Sequence, residues 1–314
     1  MSADVPASAA PEPGRQVTVR VPASSANLGP GFDSIGIALG VWDRCTATVT
    51  EQPGLVVEVS GEGADGVPRD ESHLVHRSLR AAWAELGVEP PAGLRLECAN
   101  AVPHGRGMGS SATAIVTGIV VAHALRADGP VDLDVVNDLA NRLEGHPDNA
   151  SASVFGGLTI SWSDDPGERG ATRTARPRLH SEVDVVVLVP DAQLSTARAR
   201  SVLPPSVRLG DAAANSARAA LLVHAMTADP SLLLPATREW LHQEPRRPSY
   251  PDSMALVDRL RVAGHAAVIS GAGPSVLALT TRDRRAAVAD LVVDDAAWRV
   301  LMPGIPGQGA VVDD

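Results

Sequence analysis

The segment Pro103-His-Gly-Arg-Gly-Met-Gly-Ser-Ser-Ala-Thr113 organises the rest of this chain. Its three glycines, at every second position, permit positive φ and let the backbone approach a ligand without a Cβ in the way. The apolar residues 112–124 that follow predict a helix, with Ser110 or Ser111 near its N-cap. A glycine loop that enters a helix N-terminus gathers unpaired N–H groups, which favours phosphate binding. A plain tight turn is the alternative that the loop alone leaves open.

The basic residues limit how such a phosphate can be held. The chain contains no lysine, so all 27 basic residues are arginines. This excludes the Walker loop, the strand lysine of protein kinases and a Schiff-base lysine. A dinucleotide-binding oxidoreductase is excluded because the loop lacks Gly-x-Gly-x-x-Gly spacing and a following acidic residue on a strand. A bound phosphate must therefore be held by backbone amides, hydroxyls, arginine and a metal ion.

The composition is typical of a globular protein, with 44% apolar residues in a length that suits one large domain or two ordinary ones. The net charge of −10 argues against a nucleic-acid partner, which would need a basic face. No apolar run reaches the ~18 residues that a membrane helix needs, so no membrane partner is expected. Residues 1–15 are predicted to be a disordered tail without signal-peptide features, and the location to be cytoplasmic. Cys45 and Cys98 are predicted to be inert core residues.

A second polar stretch is Ala23-Ser-Ser-Ala-Asn-Leu-Gly-Pro-Gly-Phe-Asp33, which follows a strand predicted for residues 16–22. Serine, asparagine, glycine and proline are ordinary turn residues, so a simple loop is one interpretation. Asn27 and Asp33, however, flank a rigid Gly-Pro-Gly segment, as the side chains of a substrate loop would. We therefore expect this loop to contact a substrate.

The third polar stretch, Glu144-Gly-His-Pro-Asp-Asn149, follows an amphipathic helix predicted for residues 131–143. Gly145 is predicted to be the C-cap of that helix, and Pro147 prevents the helix from continuing. The glutamate, aspartate and asparagine side chains offer oxygen ligands, which suit Mg²⁺ held by one or two carboxylates and nucleotide phosphates. Metal or substrate contact is expected here, and a capped helix end with a polar turn is the alternative.

Strand and helix patterns interleave through both halves of the chain, as in a two-layer α/β sandwich. The charged residues 163–180 predict a linker, so the expected domains are residues 16–175 and 176–314. In this region the run of Arg173, Arg176 and Arg178 is predicted to be a solvated face.

The second half carries a further glycine cluster, Ser270-Gly-Ala-Gly-Pro-Ser275, between two predicted strands. It also carries two arginine pairs, Arg198/Arg200 and Arg246/Arg247. A hairpin turn and surface arginines are the ordinary interpretations. An arginine can nevertheless bind a carboxylate through two parallel hydrogen bonds.

Together, the four motifs occur in the order found in the GHMP kinases. Their amino-acid sequences resemble those of the homoserine kinases within that superfamily. The match covers nearly the whole chain from Gln16 onward. The resemblance implies an α+β fold of two domains. The N-terminal, ATP-binding domain would be like a ribosomal protein with a left-handed βαβ crossover, and the C-terminal domain would be ferredoxin-like. The general handedness rule predicts the opposite crossover, so this feature comes from the resemblance alone.

The resemblance also implies the reaction: ATP-dependent, Mg²⁺-assisted phosphorylation of the hydroxyl group of L-homoserine, a step of threonine biosynthesis, by a chain that could form a homodimer. The ATP phosphates would contact the whole loop, namely Pro103, His104, Gly105, Arg106, Gly107, Met108, Gly109, Ser110, Ser111, Ala112 and Thr113. Mg²⁺ would be held by Ser110, or Ser111, and Glu144. The substrate-binding residues would be Asn27, Asp33, Asn149, Arg200, Arg247, Gly271 and Gly273, with Arg246 as the alternative to Arg247. The catalytic residues would be Asp148, Asn149 and Arg200, with Asp148 only a candidate base.

The chemistry of the implied substrate fits these residues, because Asp33 can take an ammonium group while Arg200 and Arg247 take a carboxylate. Two alternatives stay open. The chain could phosphorylate mevalonate or a similar hydroxy acid, in which case Asp33 would have no partner. It could also be an inactive regulator with the same fold, although Glu144, Ser110 and Ser111 are all present.

Overall fold

The computed structural model describes residues 9–126, 130–163, 172–292 and 295–313. The strands are β1 (Gln16–Asn27), β2 (Gly31–Val49), β3 (Gly54–Gly61), β4 (Gly93–Asn100), β5 (Leu158–Ser163), β6 (Thr172–Ala175), β7 (Val183–Pro190), β8 (Ala266–Ile269), β9 (Val276–Thr281), β10 (Trp298–Leu301) and β11 (Val311–Asp313). The helices are α1 (Leu74–Leu86), α2 (Ser110–Leu125), α3 (Leu133–Glu144), α4 (Pro147–Phe155), α5 (Thr196–Ser201), α6 (Leu209–Thr227), α7 (Leu233–Ala236), α8 (Gln243–Arg246), α9 (Pro251–Val262) and α10 (Arg285–Asp290). Within these ranges, no helix is both long and apolar enough to cross a bilayer.

The first sheet has the strand order β11-β1-β2-β4-β3, and β5 and β6 extend it beside β2. Strands β3 and β4 are parallel and are joined through α1, which makes a βαβ unit. The predicted left hand of this crossover stays a prediction. Helices α1 to α4 pack with the sheet around one apolar core, in which Trp83 and Ile119 are almost completely buried.

The second sheet is antiparallel, with the order β10-β7-β9-β8. All eight residues of β7 are buried, because both faces of this sheet are covered. Side chains such as Val186 and Leu188 point to a core shared with α9. The alternate side chains, such as Val185 and Val187, point to a core shared with the first domain. The two sheets with their helices confirm the two-domain α+β expectation.

The core between the domains fixes the start of β2 against the second sheet. Leu28, Ile37 and Leu39 of the first domain are fully buried in the same cluster as β7 and β9. Both domains therefore contribute to the cleft that lies above this cluster, and apolar packing holds the cleft walls at a fixed separation.

Near both ends of the described residues, the chain is hydrogen-bonded to the first domain. After β10 the chain leaves the second sheet, and β11 pairs with Thr18–Arg20 of β1. Of the predicted disordered tail, residues 1–8 lie outside the described residues. The end of that segment is attached to the domain instead, since the N–H of Gly14 donates to the Val49 carbonyl at 2.8 Å and Arg15 donates to the Ala124 carbonyl at 3.0 Å.

One local prediction was wrong. The polar stretch at residues 23–27 belongs to β1, because the buried hydroxyls of Ser24 and Ser25 hydrogen-bond to other polar side chains. The residues after Gly145, for which a polar turn is the alternative interpretation, form the start of α4, with Pro147 at its first position, where a missing N–H costs nothing.

Candidate active site

The glycine loop enters α2 as the sequence predicts, but the N-cap is Gly109 rather than a serine. Gly109 has a φ of 70° and makes no side-chain cap, so Ser110 and Ser111 are the first two helical residues. The N–H groups of a first helical turn have no intrahelical partner. With no side chain capping them, they and the positive end of the helix dipole are available to an anion.

Five consecutive carbonyl groups of the loop, from Gly105 to Gly109, accept hydrogen bonds. The carbonyls of residues 105 to 108 accept hydrogen bonds from the Leu194 N–H, the Ser275 N–H, the Ser270 hydroxyl and the Ser24 N–H, at 2.6 to 3.3 Å. The Gly109 carbonyl accepts from the Thr113 N–H at 2.8 Å. Five consecutive carbonyl oxygens are therefore bound, and none is left to repel a phosphate. The loop is held from both domains at once.

A close approach between loops explains why Gly107 is a glycine. Gly107 has a φ of 71°, and a Cβ there would lie 2.2 Å from the carbonyl oxygen of Ser270. The 270–275 turn is in turn attached to β1, because the Gly271 N–H donates to the Ala26 carbonyl at 3.1 Å. Three of the motifs recognised in the sequence thus meet at one point.

These motifs surround a cavity of about 180 Å³ between the two domains. Most of the predicted site residues line it: Asn27, Asp33, Gly105, Gly107, Gly109, Ser110, Ser111, Glu144, Asp148, Asn149, Arg200, Gly271 and Gly273. Leu194, Ser195 and Thr196, which the sequence did not single out, complete one wall.

Other predicted loop residues point elsewhere. The side chains of Met108, Ala112 and Thr113 are fully buried. Arg106 donates to the carbonyls of Pro190 and Asp191 at 2.8 and 2.9 Å, so its guanidinium joins the domains instead of facing the cavity. Pro103 is buried, and His104 lines a different cavity.

The charged wall of the cavity centres on an ion pair between Asp33 and Arg200. The two guanidinium nitrogens of Arg200 donate to the two carboxylate oxygens of Asp33, with Nη1 to Oδ2 at 3.1 Å. This pairing raises the pKa of Arg200. Asp33 has a φ of 53°, an uncommon conformation outside glycine. The Asn27 side-chain oxygen holds it by accepting the Asp33 N–H at 3.0 Å, while the Asn27 Nδ2 donates to the Gly271 carbonyl at 3.0 Å.

Arg246, and not Arg247, completes this wall. Arg247 lies outside the cavity and pairs with Glu244 and Asp258 at 2.7 and 2.9 Å. Arg246 lines the cavity and is 2% exposed. The structure therefore places the second arginine of the site at the alternative position that the sequence had left open.

Arg246 is a buried cation without a carboxylate partner. Its Nε donates to the Ala199 carbonyl at 2.9 Å, and its Nη1 donates to Nδ1 of His242 at 3.3 Å. Among the described residues, no carboxylate lies within ion-pair distance of it. Burial and the like charge of Arg200 lower the pKa of Arg246. An anion bound between the two arginines would relieve both effects.

The ring of Phe32 brings the two arginines together. The guanidinium carbons of Arg200 and Arg246 both lie 5.7 Å from its centroid. His242 stacks on the same ring at 5.2 Å, and its Nε2 donates to the Gly29 carbonyl at 2.9 Å. Because burial lowers the pKa of His242, its Nδ1 stays unprotonated as an acceptor for Arg246.

On the opposite side, Glu144 and Ser111 form an oxygen cluster. The Ser111 hydroxyl donates to Glu144 Oε1 at 2.6 Å, and Ser110 lines the cavity beside them. The described residues contain no group of three or more His, Cys, Asp or Glu side chains that could hold a metal ion. One carboxylate with hydroxyls is nevertheless a fitting set for Mg²⁺, which keeps waters and takes further oxygens from phosphates.

Helix α4 brings Asp148 and Asn149 to the cavity in its first turn. Asp148 is 2% exposed and accepts the Asn149 N–H at 2.9 Å, and the Asn149 side-chain oxygen accepts the Ser24 hydroxyl at 3.0 Å. His146 Nδ1 lies 3.4 Å from Asp148 Oδ1. Burial alone would lower the pKa of His146, but the Asp148 carboxylate outweighs it, and the pKa is raised.

A second cavity, of about 240 Å³ and mostly apolar, adjoins the first and was not predicted. Both cavities are lined by Ser110 and Ser111. The residues that line only the second, among them Arg44, Val67, Asn100 and His104, come from separate segments of the first domain. No local sequence pattern marks it, because only the fold brings those segments together.

Asp43 supports the segment that enters the glycine loop. Its Oδ1 accepts the N–H groups of Ala101 and Val102 at 2.7 and 2.9 Å. Burial raises the pKa of Asp43 to about 6, although these two hydrogen bonds oppose the change. The carboxylate therefore fixes the loop at the cost of a buried charge.

The fold and the site match a known class of kinases. Residues 73–157 match the family model described as the GHMP kinases N-terminal domain, and residues 217–293 match that of the GHMP kinases C-terminal domain. These two segments include the glycine loop and Glu144–Asn149. The chain belongs to the GHMP kinases.

Relatives that match over most of their length identify the family within the GHMP kinases. A homoserine kinase of Streptomyces coelicolor is 50% identical over 94% of this chain and 94% of its own length. A homoserine kinase of Cutibacterium acnes is 46% identical over 93% of this chain and 97% of its own length. The crystal structure of homoserine kinase from Cytophaga hutchinsonii superimposes with a TM-score of 0.82 at 24% identity, over 95% of this chain and 97% of that one. Within the GHMP kinases, the chain belongs to the homoserine kinase family.

The buried Asp43 predicts a pH-dependent stability. Its folded-state pKa of about 6 lies above the unfolded value of ~3.9, so the folded state binds the proton more tightly. The free energy of unfolding should therefore fall as pH rises from about 4 through 6. Asp43→Asn keeps an acceptor for both N–H groups but removes the charge. We expect urea unfolding to show that the difference in the free energy of unfolding, variant minus wild type, increases by about 1.4 kcal/mol from pH 5 to pH 8. A difference between the two proteins that is the same at both pH values would contradict the assignment.

Proposed function

We propose that this protein transfers the γ-phosphoryl group of ATP to the hydroxyl group of L-homoserine. The observation that carries the proposal is the charged wall beside the phosphate loop, where Asp33 faces two arginines, Arg200 and Arg246. An α-amino acid carries an ammonium and a carboxylate on one carbon. That pair can replace the internal ion pair, with the ammonium on Asp33 and the carboxylate on the two arginines.

The nucleotide fits the two adjoining cavities. We infer that the base and ribose occupy the mostly apolar cavity of about 240 Å³, and that the triphosphate passes Ser110 and Ser111 toward the smaller one. The first turn of α2 and the glycine loop would then hold the phosphates by backbone N–H groups. No lysine is needed for this arrangement, in agreement with the composition.

Phosphoryl transfer depends mainly on in-line placement and charge neutralisation. We assign the neutralisation to α2, to Arg200 and to a Mg²⁺ ion held by Glu144 with Ser110 or Ser111. When bound, Mg²⁺ would polarise the phosphate oxygens. Asn149 and Asp148 face the position where the substrate hydroxyl would lie. Asp148 remains a candidate base, and the hydrogen bond from the Asn149 N–H orients its carboxylate for accepting that proton.

The alternative substrate, a hydroxy acid such as mevalonate, is disfavoured by the same wall. If the ligand has no ammonium group, the carboxylate of Asp33 has no new partner. It would then compete with the ligand's carboxylate for the two arginines. Homodimer formation and a cytoplasmic location stay predictions from the sequence.

The substrate assignment is tested by measuring ADP release with L-homoserine, L-threonine, L-serine and mevalonate. L-Homoserine should give the highest kcat/KM. Asp33→Asn should lower kcat/KM for L-homoserine about 30-fold, because a hydrogen bond between charged groups is worth about 1.5–3 kcal/mol, and should change the KM for ATP far less. Equal turnover of mevalonate by the wild type would overturn the substrate assignment.

The two adjacent arginines provide a matched pair of variants. Arg246→Gln should raise the KM for L-homoserine about 30-fold or more, since the carboxylate loses a buried cation. Arg247→Gln should leave that KM unchanged and alter the free energy of unfolding by no more than about 1 kcal/mol, because it removes only surface ion pairs. The measurement is steady-state kinetics with L-homoserine varied at saturating ATP. A larger rise in the KM for L-homoserine in Arg247→Gln than in Arg246→Gln would instead assign the carboxylate contact to Arg247.

The metal assignment predicts a changed Mg²⁺ requirement. Glu144→Gln should raise the Mg²⁺ concentration for half-maximal rate about tenfold, as the only carboxylate ligand becomes neutral. Glu58→Gln, on the exposed side of β3, is the control and should leave the Mg²⁺ dependence unaltered. Identical Mg²⁺ titrations of Glu144→Gln and the wild type would remove Glu144 from the metal site.

A further inference from the structure

A larger cavity, of about 1000 Å³, lies at the junction of the domains and shares no lining residue with the two cavities of the active site. Phe155, the last residue of α4, lines this cavity. Asp148 and Asn149, in the first turn of the same helix, line the active-site cavity instead. At 1.5 Å per residue this separates the two sites by roughly 10 Å along the helix. We call this cavity the arginine groove, after the four residues Arg176, Arg178, Arg282 and Arg285 that line it.

The charges of the arginine groove are strongly unbalanced. His180 adds to the four arginines, and the only acidic residue in the lining is Asp184. Asp184 is occupied by Arg285, whose Nη1 lies 3.1 Å from its Oδ2. Arg178 and Arg282 are exposed and have no ion-pair partner in the part of the chain that the structure describes. In a protein with a net charge of −10, this local excess of cations is a distinct feature.

The walls of the arginine groove are held in place by backbone hydrogen bonds. On one side, Gly40 and Gly157 donate to the carbonyls of Gly304 and Pro306 at 3.2 and 2.8 Å. On the other side, the Arg282 N–H donates to the Glu182 carbonyl at 2.9 Å. The Arg176 guanidinium is placed over the Phe155 ring, 5.0 Å from its centroid. The groove is therefore formed before any ligand enters.

Apolar side chains also line the arginine groove, among them Trp42, Phe155, Leu158 and Ile305. A concave, preformed cavity of this volume is typical of small-molecule sites, in which a few polar groups converge above apolar walls. Arginine is suited to both carboxylate and phosphate, because its planar fork forms two parallel hydrogen bonds.

We propose that the arginine groove is a second ligand site, for a small organic anion that carries at least two negative charges. Polycarboxylates and phosphate monoesters share this chemistry. The run of Arg176 and Arg178, which the sequence suggests is a solvated face, becomes part of a site because the fold places Arg282 and Arg285 opposite it. The proposal does not depend on the reaction assigned to the other site.

Trp42 provides a built-in reporter for the test. Citrate and glycerol 3-phosphate are titrated separately into the full-length protein, with ADP and L-homoserine at saturation to fill the active site. We expect at least one of them to change the tryptophan fluorescence with a dissociation constant of about 1 mM or tighter. The change should disappear in Trp42→Phe. A response to citrate alone assigns the groove to polycarboxylates, and a response to glycerol 3-phosphate alone assigns it to phosphate monoesters.

Two double variants of equal charge complete the experiment. Arg178→Ala with Arg282→Ala should weaken binding at least about tenfold, because two charge-assisted contacts are lost. Arg77→Ala with Arg80→Ala, on the exposed face of α1, removes the same charge elsewhere and should change binding less than about twofold. Absence of any response, a response that persists in Trp42→Phe, or equal weakening by both double variants would overturn the proposal.

Discussion

The active site depends on the hydrogen bonds that hold the carbonyl groups of the glycine loop. Five consecutive carbonyl oxygens, from Gly105 to Gly109, accept donors from β1, from the segment after β7, from the 270–275 turn and from α2. A flexible glycine segment would otherwise have many conformations, and a phosphate would have to order it at an entropic cost. Here the cost is met during folding, so the N–H groups are positioned before the nucleotide arrives.

Because the donors come from both domains, the phosphate loop and the amino-acid pocket are assembled by the same contacts. Asn27 shows this directly: one end of its amide orients Asp33 and the other binds Gly271 of the second domain. The apolar core around Leu28 and Ile37 lies directly beneath. Packing in that core therefore sets the distance between the charged wall and the loop.

The sequence predicted the site best where local chemistry is unusual. A turn is the ordinary interpretation of the alternating glycines and of the Gly-Pro-Gly segment before Asp33, but these glycines and Asp33 line the cavity. Arg246 and Arg247 could not be distinguished in that way. Adjacent residues on a helical turn point roughly 100° apart, so tertiary structure alone decides which of them faces the cavity.

Two cavities and helix α4 were not predicted from the sequence. The 240 Å³ cavity and the arginine groove are each built from distant segments, so no spacing along the chain encodes them. Helix α4 was missed although its signals are present: Pro147 at the first position and Asp148 in the first turn are typical of a helix start. The predicted C-cap at Gly145 is confirmed for α3, and a second helix, which was not predicted from the sequence, begins directly after it.

The last strand has a consequence for how the protein is made. β11 pairs with β1, so the sheet that β1 begins is completed only by a strand that follows both domains in the chain. Until then one edge of β1 is unpaired, and an unpaired edge is a template for association with other chains. Domains usually fold in the order of their synthesis. Here the first domain stays unfinished while the second is translated, because β11 follows the second domain in the chain.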